Sequence, residues 1–106
     1  MHVGILSNMG ATLLVRTRII YSEVAFAELV LGRVSAALQG SKHAYKYRLA
    51  YVVGGRCVLR CDNEAGKGDH RHDGHVELRY AFTTPEKLIA DFEADIARWN
   101  DENRDA

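Results

Sequence analysis

The stretch from Tyr45 to Asp62 constrains the fold more than any other part of the chain. Tyr45, Tyr47, Leu49, Tyr51 and Val53 alternate with Lys46, Arg48, Ala50 and Val52, and a period of two marks a strand with one buried face. Gly54-Gly55 follows, and then Arg56–Asp62. A two-residue turn would set Leu49 opposite Arg60 and Tyr51 opposite Val58, mixing apolar and charged positions. A three-residue loop, Gly54 to Arg56, sets Val53 opposite Cys57, Tyr51 opposite Leu59 and Leu49 opposite Cys61. A slip of one residue flips every side chain, so the apolar pattern selects the second register. The other face then collects Arg48, Arg60 and Asp62, with Arg48 opposite Asp62 and Lys46 approaching Glu64.

The remaining elements build an α+β domain around that hairpin. Residues 12–21 and 24–34 are rich in aliphatic and β-branched side chains, as strands are. A Ser22-Glu23 connection would pair Tyr21 with Val24, Ile19 with Phe26 and Val15 with Val30. Residues 39–42 mark a loop. Residues 75–82 alternate Val76, Leu78, Tyr80 and Phe82 against His75, Glu77 and Arg79, which predicts a fifth strand. Thr84-Pro85-Glu86 then opens a helix over 85–99, with a capping hydroxyl, a proline at the first turn and an acid at the positive end. Leu88, Ile89, Phe92, Ile96 and Trp99 form one apolar stripe, expected to cover the tyrosine face of the sheet. The expectation is therefore a five-stranded antiparallel sheet (12–21, 24–34, 45–54, 56–62, 75–82) with one C-terminal helix on one face. Residues 1–10 read as an extension, with Met9 an alternative start, residues 11–100 as one domain, and residues 101–106 as a frayed tail.

Composition narrows the function classes. The 106 residues are 47% hydrophobic and 26% charged, a globular balance. No apolar run approaches the roughly 20 residues that cross a bilayer, and the first nine residues lack both the charge and the apolar length of a signal peptide. A cytoplasmic protein with no membrane partner is expected. Cys57 and Cys61 on one strand stand roughly 13 Å apart, beyond the roughly 7 Å a disulfide spans, and read as small apolar residues. The net charge is +0, which argues against non-specific coating of nucleic acid. Its distribution is uneven. Six basic residues and no acid lie between Leu29 and Cys61, whereas from Glu86 onward seven acids face three bases.

The segment Asp62–His75 is the chemical anomaly. It holds three of the five histidines with Asp62, Glu64, Asp69, Asp73, Lys67, Arg71 and three glycines, and reads as a long loop of the kind that carries function. Gly66-Lys67-Gly68 can form an anion nest, although Lys67 is followed by Gly68 where a P-loop has Ser or Thr. His70 and His72 are two apart, so in extended backbone both imidazoles project to the same side, roughly 6–7 Å from each other. Two such rings can divide the work of general base and general acid. They can also hold one metal, with Asp62, Glu64, Asp69 or His75 completing its sphere. A solvated loop in which they do nothing is the third alternative. His2 and His43 lack such company and read as surface residues.

The runs Lys46–Val53, Cys57–Arg60 and Asp62-Asn63-Glu64-x-Gly66-Lys67-Gly68-Asp69-His70-x-His72, with Glu86-Lys87-Leu88 through Asp91-Phe92 to Trp99, resemble the TumE family of toxins. The resemblance spans about Met9 to Trp99. It departs from the family at Tyr21-Ser22-Glu23-Val24, where Tyr-Pro-Asp-Gly is usual, at Gly32, where Trp is usual, and at Cys61, where Tyr is usual. It implies a bacterial toxin–antitoxin system, with a helix-turn-helix antitoxin that neutralises the toxin by direct binding.

Three functions follow as expectations. In an RNA-cleaving toxin the substrate supplies its own 2′-OH nucleophile. His70 and His72 would act as base and acid, Lys67 and Arg60 would meet phosphate, and Asp62 and Asp69 would orient imidazoles or Lys67. Arg48, Lys46, Asn63, Glu64 and Arg71 would line the substrate, and Tyr45 or Tyr47 could stack a base if exposed. No cofactor is expected, the partners being RNA or the ribosome and, in solution, a second copy of the chain. The alternatives are a metal-dependent nuclease through His70 and His72, and a non-enzymatic toxin or regulator that acts by binding protein.

Overall fold

The structure is a computed structural model and describes residues 12–35, 37, 42–64 and 66–104. The expected extension at residues 1–10 lies outside them, as does most of the loop at 39–42. The described chain is a single antiparallel meander of six strands with one helix packed on it: β1 (Thr12–Ile20), β2 (Ala25–Arg33), β3 (Tyr45–Val53), β4 (Arg56–Glu64), β5 (Gly68–Asp73), β6 (Val76–Arg79) and α1 (Pro85–Glu102), with sheet order β1-β2-β3-β4-β5-β6.

The central hairpin follows the apolar pattern by a different route. Leu49 pairs with Cys61, Tyr51 with Leu59 and Arg48 with Asp62, as the alternation requires. The turn is nevertheless the two-residue Gly54-Gly55, with φ of 58° and 79°, since two successive positive φ values match strand twist and suit glycine. Val52 therefore pairs with Cys57, and a bulge at Val58 restores the apolar register. One extra residue in the strand does what the extra loop residue was expected to do.

The first hairpin is shifted by one from expectation. Ile19 pairs with Ala27, Arg18 with Glu28 and, past a bulge at Leu14, Val15 with Leu31. The connection takes in Ser22, Glu23 and Val24, closed by Tyr21 N–H donating to Ala25 O at 2.9 Å and Val24 N–H donating to the Ser22 hydroxyl at 3.2 Å. This register aligns Ile19 and Val15 with the buried Ala27 and Leu31. The expected one would have aligned them with Phe26 and Val30 on the opposite face.

The largest correction concerns Asp62–His75, which is sheet. β4 runs on to Glu64, a tight turn brings Lys67 N–H onto Glu64 O at 3.1 Å, and β5 pairs back with Asp62 opposite His70 and Arg60 opposite His72. That bond takes the Lys67 amide away from the expected anion nest. The expected fifth strand shrinks to β6, Val76–Arg79. His75 sits in the Gly74-His75 turn, and Tyr80 to Phe82 leave the sheet.

The helix covers the tyrosine face. Leu88, Phe92 and Ile96 pack with Ala27, Leu29, Leu31, Tyr47, Leu49, Tyr51 and Leu59 in one core. Each fully buried aliphatic side chain there contributes roughly 1.5–3 kcal/mol. Thr84 caps the helix, its hydroxyl accepting from Lys87 N–H at 3.1 Å. The helix continues to Glu102, three residues past its expected end, and Asn100 within it accepts the Tyr51 hydroxyl at 2.6 Å.

Candidate functional site

Among the described residues no element packs on the face turned away from the helix, the bare face, and strand register arranges its side chains in rows. One row crosses all six strands as Arg16, Val30, Arg48, Asp62, His70 and Arg79. The next row reads Arg18, Glu28, Ala50, Arg60, His72 and Glu77. His70 and His72 are therefore neighbours on one side of β5, with Arg48, Arg60 and Asp62 beside them on β3 and β4. Among the described residues, Arg16, Arg48 and Arg79 form no ion pair, and His70 makes no hydrogen bond. Arg18 is committed, pairing with Glu28 at 2.8 Å and covering the Phe26 ring at 4.2 Å. At the β1–β3 end Arg16, Arg18, Glu28, Val30 and Arg48 line an open groove of about 540 Å³.

His72 is held in a defined state. Arg60 Nη2 stands 3.2 Å from His72 Nε2. A guanidinium has no acceptor, so in this contact the imidazole lone pair on Nε2 accepts, the role of the Nδ1–H tautomer. Glu77 Oε2 at 3.4 Å and Asp62 Oδ1 at 3.8 Å wait beside the same nitrogen and would receive its N–H once the ring is protonated. Asp62 is only 8% exposed. Arg60 Nε lies 3.2 Å from its Oδ2 without hydrogen-bond geometry, so this pair is held by charge proximity.

Several other expected site residues lie elsewhere. Asn63 is fully buried on the helix side, where Oδ1 accepts Tyr47 N–H at 2.9 Å and Nδ2 donates to Tyr45 O at 2.7 Å. Arg71 also faces the helix and donates to both Asp95 oxygens at 2.6 Å. Asp69 is on that side too, accepting from His43 Nε2 and the Tyr47 hydroxyl, each at 2.7 Å. Glu64 and Lys67 are exposed at the β4–β5 turn, 3.9 Å from each other. Lys46 reaches Asn63 O at 2.6 Å. In a strand, odd and even positions part company, which separates Asp69 and Arg71 from His70 and His72. Tyr47 is buried and Tyr45 half-buried on the helix face, so neither offers a stacking platform on the bare one.

His43 is the residue that sequence reasoning missed. Its Nδ1 accepts Tyr45 N–H at 3.2 Å, which leaves the proton on Nε2 for Asp69, and its ring stacks on Phe82 with centroids 3.9 Å apart. The signal was present, since His43 extends the alternation of Tyr45 and Tyr47 by one step.

Among the described residues no three His, Cys, Asp or Glu side chains converge to hold a metal ion. Of the ligands proposed to complete a His70–His72 site, Asp62 stands beside both rings, while Asp69 lies behind the sheet and His75 in a turn. Burial pushes the Cys61 thiol up to about 12, against the opposing pull of Arg71. Burial, then the hydrogen bond to Asp69, raises the Tyr47 hydroxyl well above the ordinary phenol range. Both groups are neutral core members.

No helix of the described chain is long and apolar enough to cross a membrane. No curated protein and no solved structure matches the sequence. A protein-family model described as Toxin TumE matches residues 8–100. With nearly the whole sheet and helix inside that match, this chain belongs to the TumE toxin family.

Proposed function

We propose that this toxin cleaves RNA on the bare face of its sheet. The observation that carries the reading is the row Arg16–Arg48–Asp62–His70–Arg79, with His72 beside it on the face that no described helix covers. Five inter-strand spacings make this row about 24 Å long, room for a few nucleotides of a single strand. Arg16, Arg48 and Arg79 meet backbone phosphates. Neutral His72 takes the 2′-OH proton as the oxygen attacks phosphorus, and His70 gives a proton to the departing 5′-oxygen. Arg48 and Arg60 steady the charge that develops on the non-bridging oxygens. Asp62 and Glu77 receive the imidazolium N–H of His72 once it is charged. RNA is favoured over DNA because the strand itself supplies the nucleophile.

A toxin family implies an antitoxin partner in general. Here a helix-turn-helix antitoxin in the same cytoplasm fits, laying an acidic surface over the arginine row.

The test is cleavage of RNA by the purified protein with EDTA present. Cleavage that persists in chelator, yields 2′,3′-cyclic phosphate ends and falls about 10²–10⁴-fold in His70→Ala or His72→Ala is the expected result. A His70→Ala/His72→Ala double variant that arrests growth as strongly as the parent overturns the reading in favour of a toxin that acts by binding. Activity abolished by EDTA and restored by a divalent ion overturns it in favour of a metal nuclease.

A further inference from the structure

Behind the β5–β6 end of the sheet lies a second cavity, of about 330 Å³, lined by Lys42, His43, Lys67, Asp69, Arg79 and Phe82 among others. Its size is at the lower end of the roughly 300–1,000 Å³ of small-molecule sites. Its charge balance is unusual for a neutral protein. Among the described residues Lys42 and Arg79 pair with no carboxylate, and the nearest acid to Lys67 is Glu64, at 3.9 Å. Among the cavity's described lining residues the one acid, Asp69, is nearly buried and engaged, with Oδ2 accepting from both His43 and Tyr47. Cationic residues thus line a pocket whose floor has its negative charge already bonded.

That floor is rigid. Tyr45 N–H fixes the His43 tautomer, Asp69 fixes its other nitrogen, and Phe82 lies flat on the ring. Tyr80 N–H donating to Asp69 O at 2.9 Å ties the outgoing chain to the same corner. A preformed pocket lined by Lys42 and Lys67, with Arg79 at its rim, suits a compact anion.

We infer that this cavity is a phosphate-binding subsite, held by Lys42 and Lys67 over the His43–Asp69–Phe82 floor, with Arg79 at the rim it shares with the arginine row. Arg79 stands opposite His70 on β6, so the subsite adjoins the arginine row and can take the phosphate of a nucleotide that has passed the edge of the sheet. Only the source of the phosphate rests on the RNA reading. The binding chemistry does not.

The experiment uses the full chain, isotopically labelled, and inorganic phosphate as probe. Phosphate is expected to shift the amide signals of Gly68, Asp69 and Phe82. Lys42→Ala/Lys67→Ala, which removes two exposed side chains, is expected to weaken this binding at least tenfold, and His70→Ala/His72→Ala to leave it intact. Oligoribonucleotides with a 5′-phosphate or a 5′-hydroxyl are then compared on the His70→Ala/His72→Ala background. A preference for the 5′-phosphate that the lysine substitutions abolish assigns the end of a strand. Equal binding of both, weakened equally by those substitutions, assigns an internal phosphate. Phosphate binding without any RNA binding upholds the subsite while removing the RNA reading. Unmoved amides, or binding unchanged by the lysine substitutions, overturns the inference.

Discussion

Arg60 and His72 face each other across β4 and β5, with the guanidinium 3.2 Å from the imidazole Nε2. A guanidinium can only donate, so across this contact Nε2 accepts, which is the role a general base needs. The expected tautomer of neutral His72 is Nδ1–H, and side-chain nitrogen shifts measured by NMR report it directly. An Nε2–H signal would show that Arg60 is not the donor.

The same arginine stabilises the fold through Asp62. Arg60→Ala leaves a carboxylate that is 8% exposed without its cation. A loss of about 1–3 kcal/mol follows from one unsatisfied buried group. Adding Asp62→Asn should recover most of it. Urea midpoints of the two single variants and the double variant check this coupling.

Asn63 serves as an internal bracket between β3 and β4. Asn63→Ala strands Tyr47 N–H and Tyr45 C=O inside the core, at about 1–3 kcal/mol for each buried group. A loss of about 2–4 kcal/mol in chemical denaturation is expected. A loss below about 0.5 kcal/mol would mean that water replaces the amide.

Arg16 and Arg48 should behave as phosphate contacts. Arg16→Ala and Arg48→Ala are expected to weaken RNA binding uniformly across sequences and to flatten the log–log salt dependence by roughly 0.7 for each contact removed. A salt slope identical to the parent's would remove them from the interface.

Alkali should destabilise the protein before it damages it. The Cys61 thiol is raised from 9.0 to about 12 in the fold, and burial also raises the Tyr47 and Tyr80 hydroxyls from 10.0. Between the unfolded and folded values the native state holds more protons, so stability is complete below about pH 9 and declines as pH rises above it. Thermal melts from pH 7 to 11 measure the decline. In parallel, the exposed Cys57 should react with a thiol reagent while the buried Cys61 reacts only on unfolding.

Asp91 gives the acid-side counterpart. The Tyr80 hydroxyl, then Lys87, hold its carboxyl below the usual value of 3.8. Its contribution is present above that value and lost as pH falls through the depressed one. Asp91→Asn should therefore lower the melting temperature at neutral pH, with the difference closing in strong acid. A constant difference across pH would trace the effect to packing.

The sequence by itself determined the elements whose two faces differ in polarity. Tyr45–Val53 alternates cleanly, the stripe Leu88, Phe92, Ile96 repeats at helical spacing, and both landed where apolar area must be buried. Alternation also put Arg48, Arg60 and Asp62 on one surface, and the i, i+2 spacing gave His70 and His72 a common direction. Neither depends on knowing any distant partner.

Tertiary structure decided the segment where both faces are polar. Asp69, Arg71 and Asp73 alternate with His70 and His72 as strictly as any strand, but no apolar signal marks the inner set. Their partners are His43 and Tyr47, Asp95, and Arg98, each more than twenty residues away in the chain. Burying a charge is tolerable only when a partner meets it, and those partners arrive only once the sheet has closed and the helix has crossed it. Asp69 and Arg71 were thereby taken out of the candidate site, and His43 was brought to the phosphate pocket.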